Sequence, residues 1–77
     1  NQYFPHLYPK LLAVNPQITA LEFKTLIYIK LGFSTKEIAQ LAAISVRTVE
    51  TRKNRIRKNF NLRPNTNLYT WLKSFAD

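Results

Sequence analysis

Seventy-seven residues with 45% hydrophobic content make one small globular domain rather than a disordered chain, and a chain this short buries only about 60% of the surface it exposes when unfolded. With no Cys there are no disulfides, thiolate metal ligands or cysteine nucleophile, and even the longest apolar runs, Leu26 to Ile29 among them, are far too short to span a bilayer. The net charge of +8 is concentrated: from Ser45 to Pro64 the side chains of Arg47, Arg52, Lys53, Arg55, Arg57, Lys58 and Arg63 face Glu50 alone, the footprint of a polyanion binder.

The chain opens on Asn1 rather than Met, so the expectation is a single domain, 1–77, excised from a larger protein. Its first stretch, NQYFPHLYPKLLAVNP, forms a helical extension over 1–16. Leu7, Leu11 and Val14 share a face there, and Pro5 suits a first helical position. Pro9 lies too deep for an undisturbed helix from Pro5, which predicts a kink at Pro9 or a start near it.

Thr19 followed by Glu22 is a capping box, and it opens a helix from about Ala20 to Leu31 that Gly32 ends as a left-handed cap. Apolar residues from Phe23 to Leu31 spread around this helix, so neighbours must cover it on several sides. Ser34 with Glu37 repeats the capping box and starts a helix reaching Ala42. After a short turn, Ser45 caps a third helix running to about Phe60. Asn61 can supply the left-handed residue that ends it, and Pro64 blocks continuation. The last helix starts near Asn65 or Thr66 and carries Leu68, Leu72 and Phe75 at helical spacing.

Two short helices across so tight a turn, the second of them basic, describe a helix-turn-helix. At about 100° per residue, Val49, Ile56 and Phe60 gather into one narrow buried stripe of the second helix. Opposite the stripe lie Arg47, Thr51, Asn54 and Lys58, flanked by Glu50 and Arg55. These residue types suit the edges of bases in a major groove. Arg47 can bond guanine bidentately and Asn54 adenine; Glu50 can accept from a cytosine amine, and Thr51 offers thymine a methyl group. Recognition helices enter the groove by their N-terminal half. Arg47, Glu50, Thr51 and Asn54 are therefore the candidate base readers, with Arg55, Arg57 and Lys58 facing phosphates. Glu50 has an alternative, an intrahelical pair with Arg47 or with neighbours on the Asn54 side. Helix N-termini also favour phosphate, which adds Ser34, Thr35 and Lys36 at one helix start and Ser45 and Thr48 at the next, although simple capping accounts for both serines.

The segment STKEIAQLAAISVRTVETRKNRIRK resembles the LuxR/GerE-type helix-turn-helix domain. Ile18-Thr19, Glu22, Gly32-Phe33-Ser34, Lys36-Glu37-Ile38-Ala39, Ile44-Ser45 and Thr48-Val49 match that pattern in register. The likeness extends over about 17–76. It implies an all-α fold, a four-helix LuxR-type bundle over 19–76 with the 1–16 segment as an extra N-terminal helix and no wing. It also implies sequence-specific binding of double-stranded DNA by a bacterial transcription regulator, with Glu50, Thr51 and Asn54 at base-contacting positions and a homodimer through the last helix. The N-terminal segment is similar to a variant found at the C-terminal ends of Bacteroidetes sensor-regulators. That implies the output domain of a two-component response regulator acting in the cytoplasm at the nucleoid, compatible with a membrane-anchored parent. Lys53 departs from the pattern at a position usually aliphatic, Arg52 at one often His, and Asn61 at one usually Gly. These departures bear on dimer geometry and target sequence.

Two other readings compete. Region 4 of sigma factors has a similar helix-turn-helix and would make RNA polymerase the main partner, but the continuation NTNLYTWLKSF argues for the LuxR type. A helical protein-interaction module with weak non-specific DNA binding would use Tyr69 and Trp71, which lie off the Leu68–Leu72–Phe75 face and form a candidate dimer or partner face. Alternatively those aromatics pack on Tyr3, Phe4 or Tyr8.

An enzyme is not expected. His6 is the only His, Gly32 the only Gly, and both Glu22 and Glu37 are explained by capping. The sequence accordingly calls for no cofactor and no metal. A membrane-surface helix needs a broad apolar face, and the third helix has only its narrow seam.

Overall fold

The structure, a computed structural model, describes residues 6–75, in which five helices follow one another: α1 Leu7–Val14, α2 Ala20–Lys30, α3 Thr35–Ala42, α4 Val46–Asn59 and α5 Leu68–Lys73. No strand occurs among the described residues. The expectations placed on Tyr3, Phe4 and Pro5 lie outside them.

α1 begins two residues before Pro9 and is not broken by it. Pro9 is its third residue, where a backbone N–H would find no intrahelical acceptor, so the missing donor costs nothing. Leu7 and Leu11 are fully buried, but Val14 is 54% exposed. The chain turns into extended backbone at Asn15, and Ile18 rather than Val14 is the next side chain to enter the core. The Tyr8 ring meets Phe23 of α2 edge-on at 4.8 Å, laying α1 against α2.

α2 is the central helix and packs on α4 and α5. Its capping box is complete: Thr19 Oγ1 accepts from the Glu22 N–H at 3.0 Å, and Glu22 Oε1 accepts from the Thr19 N–H at 3.1 Å. Glu22, Thr25, Leu26 and Ile29 are buried, and Phe23, Ile27 and Tyr28 are half-buried, so α2 is covered on several sides. Leu31, just past its end, is exposed.

α2, α3 and α4 terminate alike. Each ends at a left-handed residue, Gly32 (φ 93°), Ala43 (φ 57°) and Asn61 (φ 57°). In each the next residue donates back five positions: Phe33 to Tyr28, Ile44 to Ala39 and Leu62 to Arg57, at 3.1, 3.0 and 2.7 Å. The motif turns the chain sharply, and at the second and third turns it returns an apolar residue, Ile44 and Leu62, to the edge of the core, while Phe33 stays exposed. At the first turn the Phe33 ring meets Tyr28 edge-on at 6.0 Å.

α5 starts at Leu68, later than Asn65 or Thr66. Thr66 closes a turn onto the Arg63 carbonyl, and Asn67 then caps the helix by accepting from the Thr70 N–H at 3.1 Å. At its other end the Leu72 and Phe75 carbonyls accept from Lys30 Nζ and Lys10 Nζ at 3.4 and 3.0 Å, placing cations at the negative end of the helix. The core runs through all five helices, from Leu7 and Leu11 to Leu26, Ile38, Val49, Ile56, Leu68 and Leu72.

Candidate nucleic-acid interface

α4 is fourteen residues long, about 21 Å at 1.5 Å per residue. It buries Val49 and Ile56 completely and, just beyond its end, Phe60 almost so. α3 packs across it to form the helix-turn-helix, with Ala43 making the turn and Ile44 half-buried against the core. Ala43 was not foreseen as a left-handed position, because an alanine there carries no turn signal of its own.

The face of α4 away from the seam is open. Arg47, Glu50, Thr51, Asn54, Arg55 and Lys58 are all exposed. The Thr51 hydroxyl donates to the Arg47 carbonyl at 3.0 Å, which commits its proton to the helix and leaves its methyl group and lone pairs for a ligand. Glu50 Oε1 lies 3.8 Å from Lys53 Nζ, so its intrahelical partner is Lys53, on the Asn54 side, and not Arg47. That pair is loose and Glu50 is 55% exposed, a geometry that leaves the carboxylate able to turn outward.

Two basic residues of α4 are built into the protein instead. Lys53, 20% exposed, extends its ammonium to Thr35 Oγ1 at 3.0 Å and so bridges α4 to the start of α3. Its position close to the Val49 seam, with the charge carried out at the end of a long stem, explains how a lysine takes a site otherwise suited to an aliphatic side chain. Arg57 is half-buried; its Nε donates to the Thr66 carbonyl and its Nη1 to Asn54 Oδ1, both at 2.8 Å. Sequence position alone put Arg57 among the phosphate-facing residues. What it did not show is the carbonyl of Thr66, which the α4–α5 turn brings within reach.

The helix starts differ. At α3, Ser34 Oγ accepts from the Glu37 N–H and Glu37 Oε1 from the Ser34 N–H, at 3.1 and 2.8 Å, so a carboxylate already occupies part of that N-terminus, with exposed Lys36 beside it. At α4, Ser45 Oγ accepts from the Thr48 N–H at 3.1 Å and lies 2.8 Å from Thr48 Oγ1. No acidic residue stands in the first turn of α4, which leaves the positive end of its dipole uncompensated and suited to a phosphate.

On the far side, Trp71 is half-buried between Phe60 and Phe75, edge-on to each at 5.1 and 5.0 Å. Its packing partners are thus Phe60 and Phe75 rather than Tyr8, whose ring is taken by Phe23. Tyr69 is 43% exposed, with Lys73 Nζ 5.3 Å from its ring centre.

This arrangement of helices, turn and open basic face has a counterpart among known proteins. The model of GerE, bacterial regulatory proteins of the luxR family, matches residues 16–72, from just before α2 to the penultimate residue of α5. The chain belongs to the luxR family. It is therefore a DNA-binding helix-turn-helix domain of a transcription regulator, a class of regulators and not of enzymes. Its luxR-type part comprises α2 to α5, and α1 precedes the matched residues. No curated protein and no solved structure matches the chain significantly. Among the described residues no helix is long and apolar enough to cross a membrane, and no group of His, Cys, Asp or Glu is disposed to hold a metal ion.

Proposed function

We propose that this luxR-family domain binds double-stranded DNA sequence-specifically by laying α4 in the major groove. The observation that carries this reading is the division of α4 into a narrow buried seam of Val49 and Ile56 and an open face of hydrogen-bonding side chains. The base edges fall to Arg47, Glu50, Thr51 and Asn54, whose donors, acceptors and methyl group suit the major-groove edges of bases. Arg55 and Lys58 reach phosphates on either side, together with Ser34, Thr35 and Lys36 at the start of α3 and Ser45 and Thr48 at the start of α4. Arg57 contributes only the guanidinium protons that Thr66 and Asn54 leave over.

The domain acts as an output module of a larger response regulator in the cytoplasm, and two copies pair through α5, where Tyr69 is exposed. RNA polymerase is a further partner in that setting. Methylation interference tests the groove. On a bound duplex, methyl groups at guanine N7, in the major groove, should block binding at two or more positions, whereas those at adenine N3, in the minor groove, should be tolerated. The reverse pattern contradicts the placement of α4.

A further inference from the structure

We infer that Arg57 sets which base Asn54 reads, by turning the asparagine amide so that it meets the groove as a donor and selects guanine over adenine. This rests on the reading that α4 enters the major groove.

Arg57 lies one turn beyond Asn54 on α4, and its planar guanidinium is held at two points. Nε donates to the Thr66 carbonyl and Nη1 to Asn54 Oδ1, both at 2.8 Å. The first bond anchors the fork to backbone of the α4–α5 turn, and the half-buried stem restricts it further. An arginine has donors only, so the amide atom facing it has to be the oxygen. The amide orientation of Asn54 is therefore fixed by chemistry rather than left to either of two flips. Asn54 Nδ2 has no acceptor among the described residues, and the residue is exposed.

An asparagine reads adenine by accepting from N6 and donating to N7 side by side, which requires both Oδ1 and Nδ2 to face the base. With Oδ1 engaged by Arg57, the part of the exposed amide left without an intramolecular partner is the Nδ2 amine with its two protons. Guanine answers it with two adjacent acceptors, N7 and O6, while adenine offers one acceptor beside an amine that is itself a donor. The sequence of α4 alone suggests adenine for Asn54; the Arg57 clamp reverses the preference. Arg57 is thus a positioning residue, and the α4–α5 turn, through Thr66, takes part in specificity without touching DNA.

The test is selection from a random duplex library with the wild-type domain, Asn54→Ala, Arg57→Met and the double variant. Arg57→Met keeps the unbranched stem and removes the donors. Asn54→Ala identifies the base position that Asn54 reads, as the one position that becomes relaxed. At that position the wild type should show guanine, and Arg57→Met should move the adenine-to-guanine ratio about tenfold toward adenine, the scale of one bidentate contact. The double variant should show no preference there, and the other positions should keep theirs. Adenine in the wild-type motif at that position overturns the inference, and this outcome does not depend on whether Arg57→Met folds. A uniform weakening in Arg57→Met with an unchanged ratio also overturns it, since that is what a merely structural arginine gives. If Asn54→Ala relaxes no position, the inference fails while the major-groove reading stands. If the wild type enriches no motif at all, that reading fails and takes the inference with it.

Discussion

Glu22 Oε2 accepts a 2.6 Å hydrogen bond from Asn59 Nδ2, joining the first turn of α2 to the last residue of α4. Glu22 is 8% exposed, and its other carboxylate oxygen completes the capping box with Thr19. One side chain therefore starts the central helix and fixes where the end of α4 lies on it.

Asn59→Ala should destabilise the fold by about 1–3 kcal/mol, because it strands one oxygen of a buried carboxylate. Urea denaturation measures the change. Asn59 points away from the open face of α4, so affinity for DNA of the folded variant should be nearly unchanged. A neutral Asn59→Ala would mean that water replaces the amide without loss.

Ala43→Gly should stabilise the domain. The left-handed conformation at φ 57° costs a non-glycine residue about 1–2 kcal/mol, and the entropy of the glycine in the unfolded chain returns about 0.4–1 kcal/mol of that. A net gain on the order of 0.5–1 kcal/mol in chemical denaturation is expected. Ala43→Val, which adds branching at the same backbone conformation, should lose stability.

Arg55→Ala should weaken binding to every duplex by a similar factor and lower the slope of log affinity against log salt by about 1, as loss of one phosphate contact does. Thr51→Val keeps a methyl group and removes a hydroxyl that already donates to the Arg47 carbonyl. Its effect should be confined to one or two base positions, with the salt slope unaltered. Titrations at several salt concentrations separate the two classes.

Lys53→Met should spare the aliphatic contacts of the stem and cut the bond to Thr35, loosening the α3–α4 junction with a stability loss of about 0.5–1.5 kcal/mol. Lys53→Glu should be worse in both stability and DNA affinity. If Lys53→Met changes neither, the Lys53–Thr35 bond does no more than decorate the surface.

Most of the architecture was legible because it is written in local signals. Thr19 with Glu22, Ser34 with Glu37, Ser45, Gly32 and Asn61 each fix a helix end through their own side chain or backbone freedom, and each does so in the structure. The seam of α4 was readable from spacing, since Val49, Ile56 and Phe60 stand at multiples of the helical turn. What escaped depends on contacts distant in sequence. The bond from Asn59 to Glu22 spans 37 positions and that from Lys53 to Thr35 spans 18. Val14 falls on the right stripe of α1 but at its last turn, where the chain is already leaving the core. Arg57 counts as one more surface cation in a basic run until the α4–α5 turn sets a carbonyl beside it. Ala43 was hidden for the opposite reason: nothing in an alanine announces a left-handed turn, and the packing of α3 on α4 imposes it.

The central claim, that the open face of α4 reads base sequence, is tested most directly by selecting binders from a random duplex library with the wild-type domain at about 150 mM salt, where non-specific phosphate binding is weak. The expected result is an enriched motif, two inverted half-sites if the domain pairs through α5 and one half-site if it binds singly, with positions that relax when Arg47, Glu50, Thr51 or Asn54 is replaced by alanine. A folded domain that binds duplex DNA yet enriches no motif would contradict it and leave α4 as a surface for phosphates alone.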